Sequence, residues 1–124
     1  MIEINPDKYS RIMEARLIAN ILDGLTYSPL LYENGISGKV IVKCSGNEDG
    51  ILSQLNILNY DHPQLIHECI SAINHYNKSP RPLMTNNDIV LHLSFQFRYG
   101  QKEEKKFKNG SFIISVLKPN FKTH

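Results

Sequence analysis

The clearest hydrophobic and polar pattern runs from Gly38 to Pro80 and reads strand, turn, strand, turn, helix. In Gly38–Cys44, Val40, Val42 and Cys44 share one face, with Lys39 and Lys43 on the other. Ser45–Gly50 ends in Asp-Gly, a strong short-range hairpin signal. Ile51–Leu58 is a second apolar run, with Leu55 and Ile57 on one side. Asp61-His62-Pro63 marks a helix start, with proline in the first turn, where a missing N–H is harmless. Leu65, Cys69, Ala72, Ile73 and Tyr76 then recur at helical spacing and predict one apolar face through Tyr76.

The flanks extend this unit. Asn5-Pro6-Asp7 caps a helix expected over Pro6–Asp23, with Tyr9, Met13, Leu17 and Ile21 as its stripe and Gly24 as its stop. Ser28 precedes Pro29 and prefers an extended backbone, and Leu30–Asn34 forms a short helical turn closed by Gly35. Ser79-Pro80-Arg81-Pro82 forces an extended exit from the second long helix. Ile89–Arg98 alternates cleanly, Ile89, Leu91, Leu93, Phe95 and Phe97 against Val90, His92, Ser94, Gln96 and Arg98. Tyr99–Gly110 reads as a charged loop, Ser111–Lys118 as a fourth strand and the residues from Pro119 as a polar tail. The expected fold is α+β: a small antiparallel sheet of three to four strands, with both long helices packed on one face.

Composition narrows the function. The 124 residues fit one domain, and 41% hydrophobic with 21% charged residues is an ordinary globular balance. A net charge of +2 does not argue for nucleic acid, and Lys102–Lys106 mixes signs like a solvated loop. No stretch reaches the length of a membrane span, and the N-terminus lacks a signal-peptide pattern. There is no phosphate loop, dinucleotide fingerprint, nucleophile elbow or paired-cysteine metal motif, so neither an enzyme nor a cofactor or metal is expected. His62, His67, His75, His92 and His124 do not fall at ligand spacing and read as surface residues. Asn47–Gly50 lacks the ordered ligand positions of a calcium loop and reads as a turn. Cys44 and Cys69 both belong to core faces of elements that pack together. They read either as a disulfide or as two small buried hydrophobes.

The ordered set of residues resembles the C-terminal domain of the TonB and TolA energy transducers. Tyr27-Ser28-Pro29 is similar to the family's Tyr-Pro start, and Gly35-Ile36-Ser37-Gly38 to its glycine entry into the first strand. Val40 and Val42 precede Asp49-Gly50 at the family's interval, and Leu52, Leu55 and Ile57 match its second strand. Leu65, Cys69, Ala72 and Ile73 match its helix, followed by the aromatic Tyr76 and by Pro80, while Ile89–Phe97 matches its third strand. Two positions depart: the family commonly carries an aromatic where Cys44 stands, and its proline is shifted here to Pro29. On this reading the chain is a single domain over 1–124, with an N-terminal helix to 24, a TonB-like core over 27–98, a loop and extra strand over 99–118, and a tail from 119.

The resemblance implies a protein-binding domain that takes a partner peptide as an added strand beside the third strand, in energy transduction to outer-membrane receptors. The implied partner is the N-terminal segment of such a receptor or a component of the Tol or Ton system. The implied location is the periplasm, as the soluble part of a longer, membrane-anchored parent; a natural start at Met1 would instead point to a cytoplasmic adaptor or an immunity-type inhibitor on the same fold. The outward residues Val90, His92, Ser94, Gln96 and Arg98 are the expected flank of an incoming peptide, as opposed to a merely solvated face. If Ser111–Lys118 pairs with the third strand as a hairpin, it takes that edge. Ile113 and Leu117 then border the new one, which would serve peptide capture or a strand-mediated homodimer.

Overall fold

The computed structural model describes residues 10–46, 49–78, 88–98 and 103–117, with side chains of the first helix from residue 15 onward. In chain order the elements are α1 (Ser10–Gly24), α2 (Pro29–Glu33), β1 (Gly38–Gly46), β2 (Leu52–Tyr60), α3 (Pro63–Lys78), β3 (Asp88–Arg98), β4 (Glu104–Lys108) and β5 (Ser111–Leu117). The expected helix start at Asn5–Asp7, the extended exit over Ser79–Pro82 and the tail from Pro119 lie outside the described residues.

The strands form one sheet in the order β2-β1-β3-β5-β4. The fold is α+β as expected, but the sheet has five strands and is mixed, because β5 runs parallel to β3 with His92 opposite Ser111 and Arg98 opposite Leu117. The source of the difference is Asn109-Gly110. Both residues have positive φ, 53° and 77°, as the two central residues of a type I′ hairpin turn require. The stretch read as a charged loop thus holds β4, which folds back antiparallel on β5.

Local chemistry explains the other joints. Ser28 is extended (φ −68°, ψ 155°) and hands over to Pro29 at the start of α2. Gly38 sits at φ +142°, and a Cβ there would lie 2.7 Å from the Asp61 side chain. That close approach lets the Lys39 N–H donate to Asp61 Oδ2 at 2.7 Å while the Asp61 N–H donates to the Lys39 carbonyl, tying the start of β1 to the end of β2. Gly24 ends α1 against His75 of α3, where an added Cβ would lie 2.6 Å from the His75 Cβ and 2.8 Å from its imidazole.

Burial follows the predicted periods. Leu65, Cys69, Ala72, Ile73 and Tyr76 of α3 join Val40, Val42, Ile89, Leu91, Leu93, Phe95, Phe112 and Ile114 of the sheet in one core with Leu17 and Ile21 of α1. α3 lies over β1 and β2, and α1 lies beside it over β4 and β5, so both long helices cover the same face. Near the short α2, Tyr27 packs edge-on against Phe95 at 5.9 Å and Tyr32 against Phe97 at 6.2 Å, and the Tyr27 hydroxyl donates to the Ile36 carbonyl.

Candidate partner-binding face and edges

β3 lies at the centre of the sheet, hydrogen-bonded to β1 on one side and β5 on the other. Its period of two sends Ile89, Leu91, Leu93 and Phe95 into the core and Val90, His92, Ser94, Gln96 and Arg98 to the opposite face. The parallel register sets Ile113 beside Ser94 and Leu117 beside Arg98. The outward residues read from β3 and from the last strand therefore lie on one face, away from α1 and α3. The edge is placed differently from the sequence-based expectation. Both ladders of β3 are occupied, and β5 is interior because β4 pairs along its far side.

This face is polar and partly filled. Gln96 Nε2 donates to Ser94 Oγ at 3.0 Å. Ser94 and Ser115 are buried, and the Ser115 hydroxyl has no hydrogen-bond partner among the described residues. Arg98 Nη1 and Lys106 Nζ converge on the same Glu104 oxygen at 3.4 and 3.2 Å, so two cations share one carboxylate. At the opposite corner, Ser45 Oγ donates to Asp88 Oδ1 at 2.9 Å and Lys43 Nζ lies 3.2 Å from Asp88 Oδ2. The Ser45 hydrogen bond, followed by the Lys43 ammonium, holds the Asp88 carboxyl below its usual range. His92 and Leu117 are exposed.

Among the described residues the sheet ends at β2 and at β4, and the two edges differ. β2 is long and carries no charged residue, but its register slips twice against β1, between Ile41 and Val42 and between Lys43 and Ser45. The second slip includes Gln54 at φ +53°. Such bulges twist an edge away from further pairing. β4 pairs without a bulge and carries Lys105, Lys106 and Lys108 in five residues.

Other candidate chemistry does not gather. Cys44 and Cys69 are both buried and both free thiols, so the pair is unbonded and packs as two small hydrophobes. Burial pushes each thiol up to about 12, helped for Cys44 by the Asp88 charge and for Cys69 by Cys44, which leaves both protonated and unreactive at neutral pH. His75 Nε2 meets Asp23 Oδ2 at 2.7 Å beside an open groove lined by His67, Ser71, Asn74 and Lys78, an exposed clasp between α1 and α3. No group of three His, Cys, Asp or Glu residues suited to a metal occurs among the described residues, and no described helix is long and apolar enough to cross a membrane.

Neither a protein-family model nor a curated protein sequence matches the chain. Among solved structures, the chain is similar to an NMR solution structure of the Helicobacter pylori TonB C-terminal domain, with 20% identity and a TM-score of 0.57 over 82% of this chain and 91% of that one. The fold is that of a TonB C-terminal domain. A second NMR structure of the same H. pylori domain aligns with 15% identity and a TM-score of 0.47, over 72% of this chain and 94% of that one. Within the TonB-like fold, the candidate binding features are the polar face of β3 and β5 and the two strand edges.

Proposed function

We propose that this chain is a non-enzymatic protein-binding domain that takes an extended partner segment as an added strand at the edge of its sheet. One observation carries the reading: in a TonB-like fold, β4 pairs only with β5 among the described residues, leaving a row of backbone N–H and C=O groups along its outer side. An extended peptide satisfies such a row, and flanking side chains supply selectivity. Arg98, Ile113 and Leu117 lie on the polar face just inside that edge, with Val90, His92, Ser94 and Gln96 further in. β2 is the poorer acceptor because its bulges interrupt the ladder.

The partner class that follows is the periplasm-facing N-terminal segment of an outer-membrane receptor, or a Tol or Ton component, and the role is energy transduction from a periplasmic position. Amide shift mapping with receptor N-terminal peptides tests this. Saturable shifts centred on Glu104–Lys108 and Ser111–Leu117 are expected. A folded monomer whose spectrum ignores every such peptide would overturn the receptor role in favour of an adaptor or inhibitor on the same fold. Concentration-dependent shifts without peptide would instead indicate a strand-mediated homodimer.

A further inference from the structure

We infer that the outer edge of β4 selects an acidic extended segment with glutamate or aspartate at two alternate positions and an apolar residue between them. The inference rests on the strand-addition reading and specifies its partner. β4 alternates in a defined way. Lys106 and Lys108 lie on the polar face, opposite Ile113 and Ser111 of β5. Phe107 lies between them on the core face, its ring 4.8 Å from that of Phe112. A strand added alongside repeats this alternation, so its residues opposite Lys106 and Lys108 share their face and its residue opposite Phe107 points toward the core side.

The cations along this edge, Lys105, Lys106 and Lys108 with Arg98 behind them, outnumber its described carboxylates, Glu103 and Glu104. Glu104 is the carboxylate that Arg98 and Lys106 share. Lys105 Nζ reaches the Asp23 carbonyl at 3.4 Å, a contact that leaves its charge uncompensated. Lys108 forms no ion pair with another described residue. An acidic segment supplies the missing carboxylates. A second copy of β4 brings another three lysines against them, so the edge that admits an acidic strand disfavours its own copy. Glu104 also sets the register. A carboxylate opposite it would be repelled, so the acidic positions belong at the Lys106 and Lys108 end.

The test uses the full chain and three soluble peptides of one length: a Thr-Glu-Val-Glu-Thr core, the same core with both Glu→Gln, and the same core with both Glu→Lys. With cross-strand ion pairs of ordinary strength, the glutamate peptide is expected to bind about tenfold tighter than the glutamine peptide, with the lysine peptide weakest. Its shifts should fall on Glu104–Lys108. Raising salt from about 0.05 to about 0.5 M should erase most of the difference, because the charges are exposed. The double variant K106Q/K108Q, altered only at solvent-facing positions, should bind the glutamate and glutamine peptides alike.

Equal binding of the glutamate and glutamine peptides to wild-type β4 would overturn the acidic selectivity while leaving strand addition intact. Shifts on β2, or no shifts with any of the three, would overturn docking at β4. The receptor-peptide experiment would still judge the broader reading separately.

Discussion

Gly38 shows how closely one residue can tie two strands. Its φ of +142° disfavours any side chain, and the space a Cβ needs is filled by Asp61. Gly38→Ala should therefore lower stability by about 2 kcal/mol, from backbone strain together with loss of the Asp61 clamp on Lys39. A denaturant midpoint shift at unchanged slope would measure it. Asp88 is a second residue with a consequence of its own. Its carboxyl titrates below the unfolded value because Ser45 and Lys43 favour the charged form. The stability it contributes is present above the unfolded carboxylate pKa and is lost as pH falls through the lower folded value. Asp88→Asn should flatten the acid limb of a stability–pH profile and lower the neutral plateau by the same small amount, since the partly exposed pair is screened by solvent. A limb of unchanged slope would assign acid sensitivity to other carboxylates.

At the scale of elements, the β4–β5 hairpin is well anchored. Phe112 and Ile114 are fully buried, and Phe112 also stacks on Phe107. Phe112→Ala should cost about 3–5 kcal/mol, the usual range for a buried phenylalanine. Thermal unfolding would show the loss, and hydrogen exchange should quicken first in β4 and β5. If protection fell equally over all strands, the hairpin would be part of the global folding unit rather than a dockable one. This anchoring bears on partner capture: a peptide that replaced β5 beside β3 would have to expose both side chains, whereas one that adds to β4 disturbs neither.

The whole molecule separates what local pattern encodes from what only assembly decides. β3 was legible because Ile89–Phe97 alternates without interruption, and α3 because Pro63 starts a stripe that Tyr76 completes. The common face of His92, Gln96, Arg98, Ile113 and Leu117 follows from the same period of two. β4 was hidden, since Lys105, Lys106 and Lys108 leave Phe107 as its single apolar residue and an edge strand of this kind has no clean alternation. A signal was present in Asn109-Gly110, a dipeptide suited to a two-residue hairpin. The parallel placement of β5 was not readable from local pattern, because strand order is decided by which ladder and which core the finished hairpin can fill. The open edge, and with it the position of the candidate site, moved for that reason alone.

That placement also predicts an order of events in time. β4 and β5 meet across two turn residues, so their pairing closes within about microseconds, whereas the parallel pairing of β5 with β3 must wait for a larger loop to close. The hairpin is then expected to be built before it is docked, with the rate of reaching the native state set by how often a preformed hairpin is available. Gly110→Ala is the probe: its Cβ would meet no atom of a described residue within 4 Å, so the substitution acts through the φ of +77°. Refolding should slow roughly in proportion to the stability lost, with unfolding nearly unchanged. Were the unfolding rate to absorb the loss instead, the turn would form after the barrier, and β5 would reach β3 before it had folded against β4.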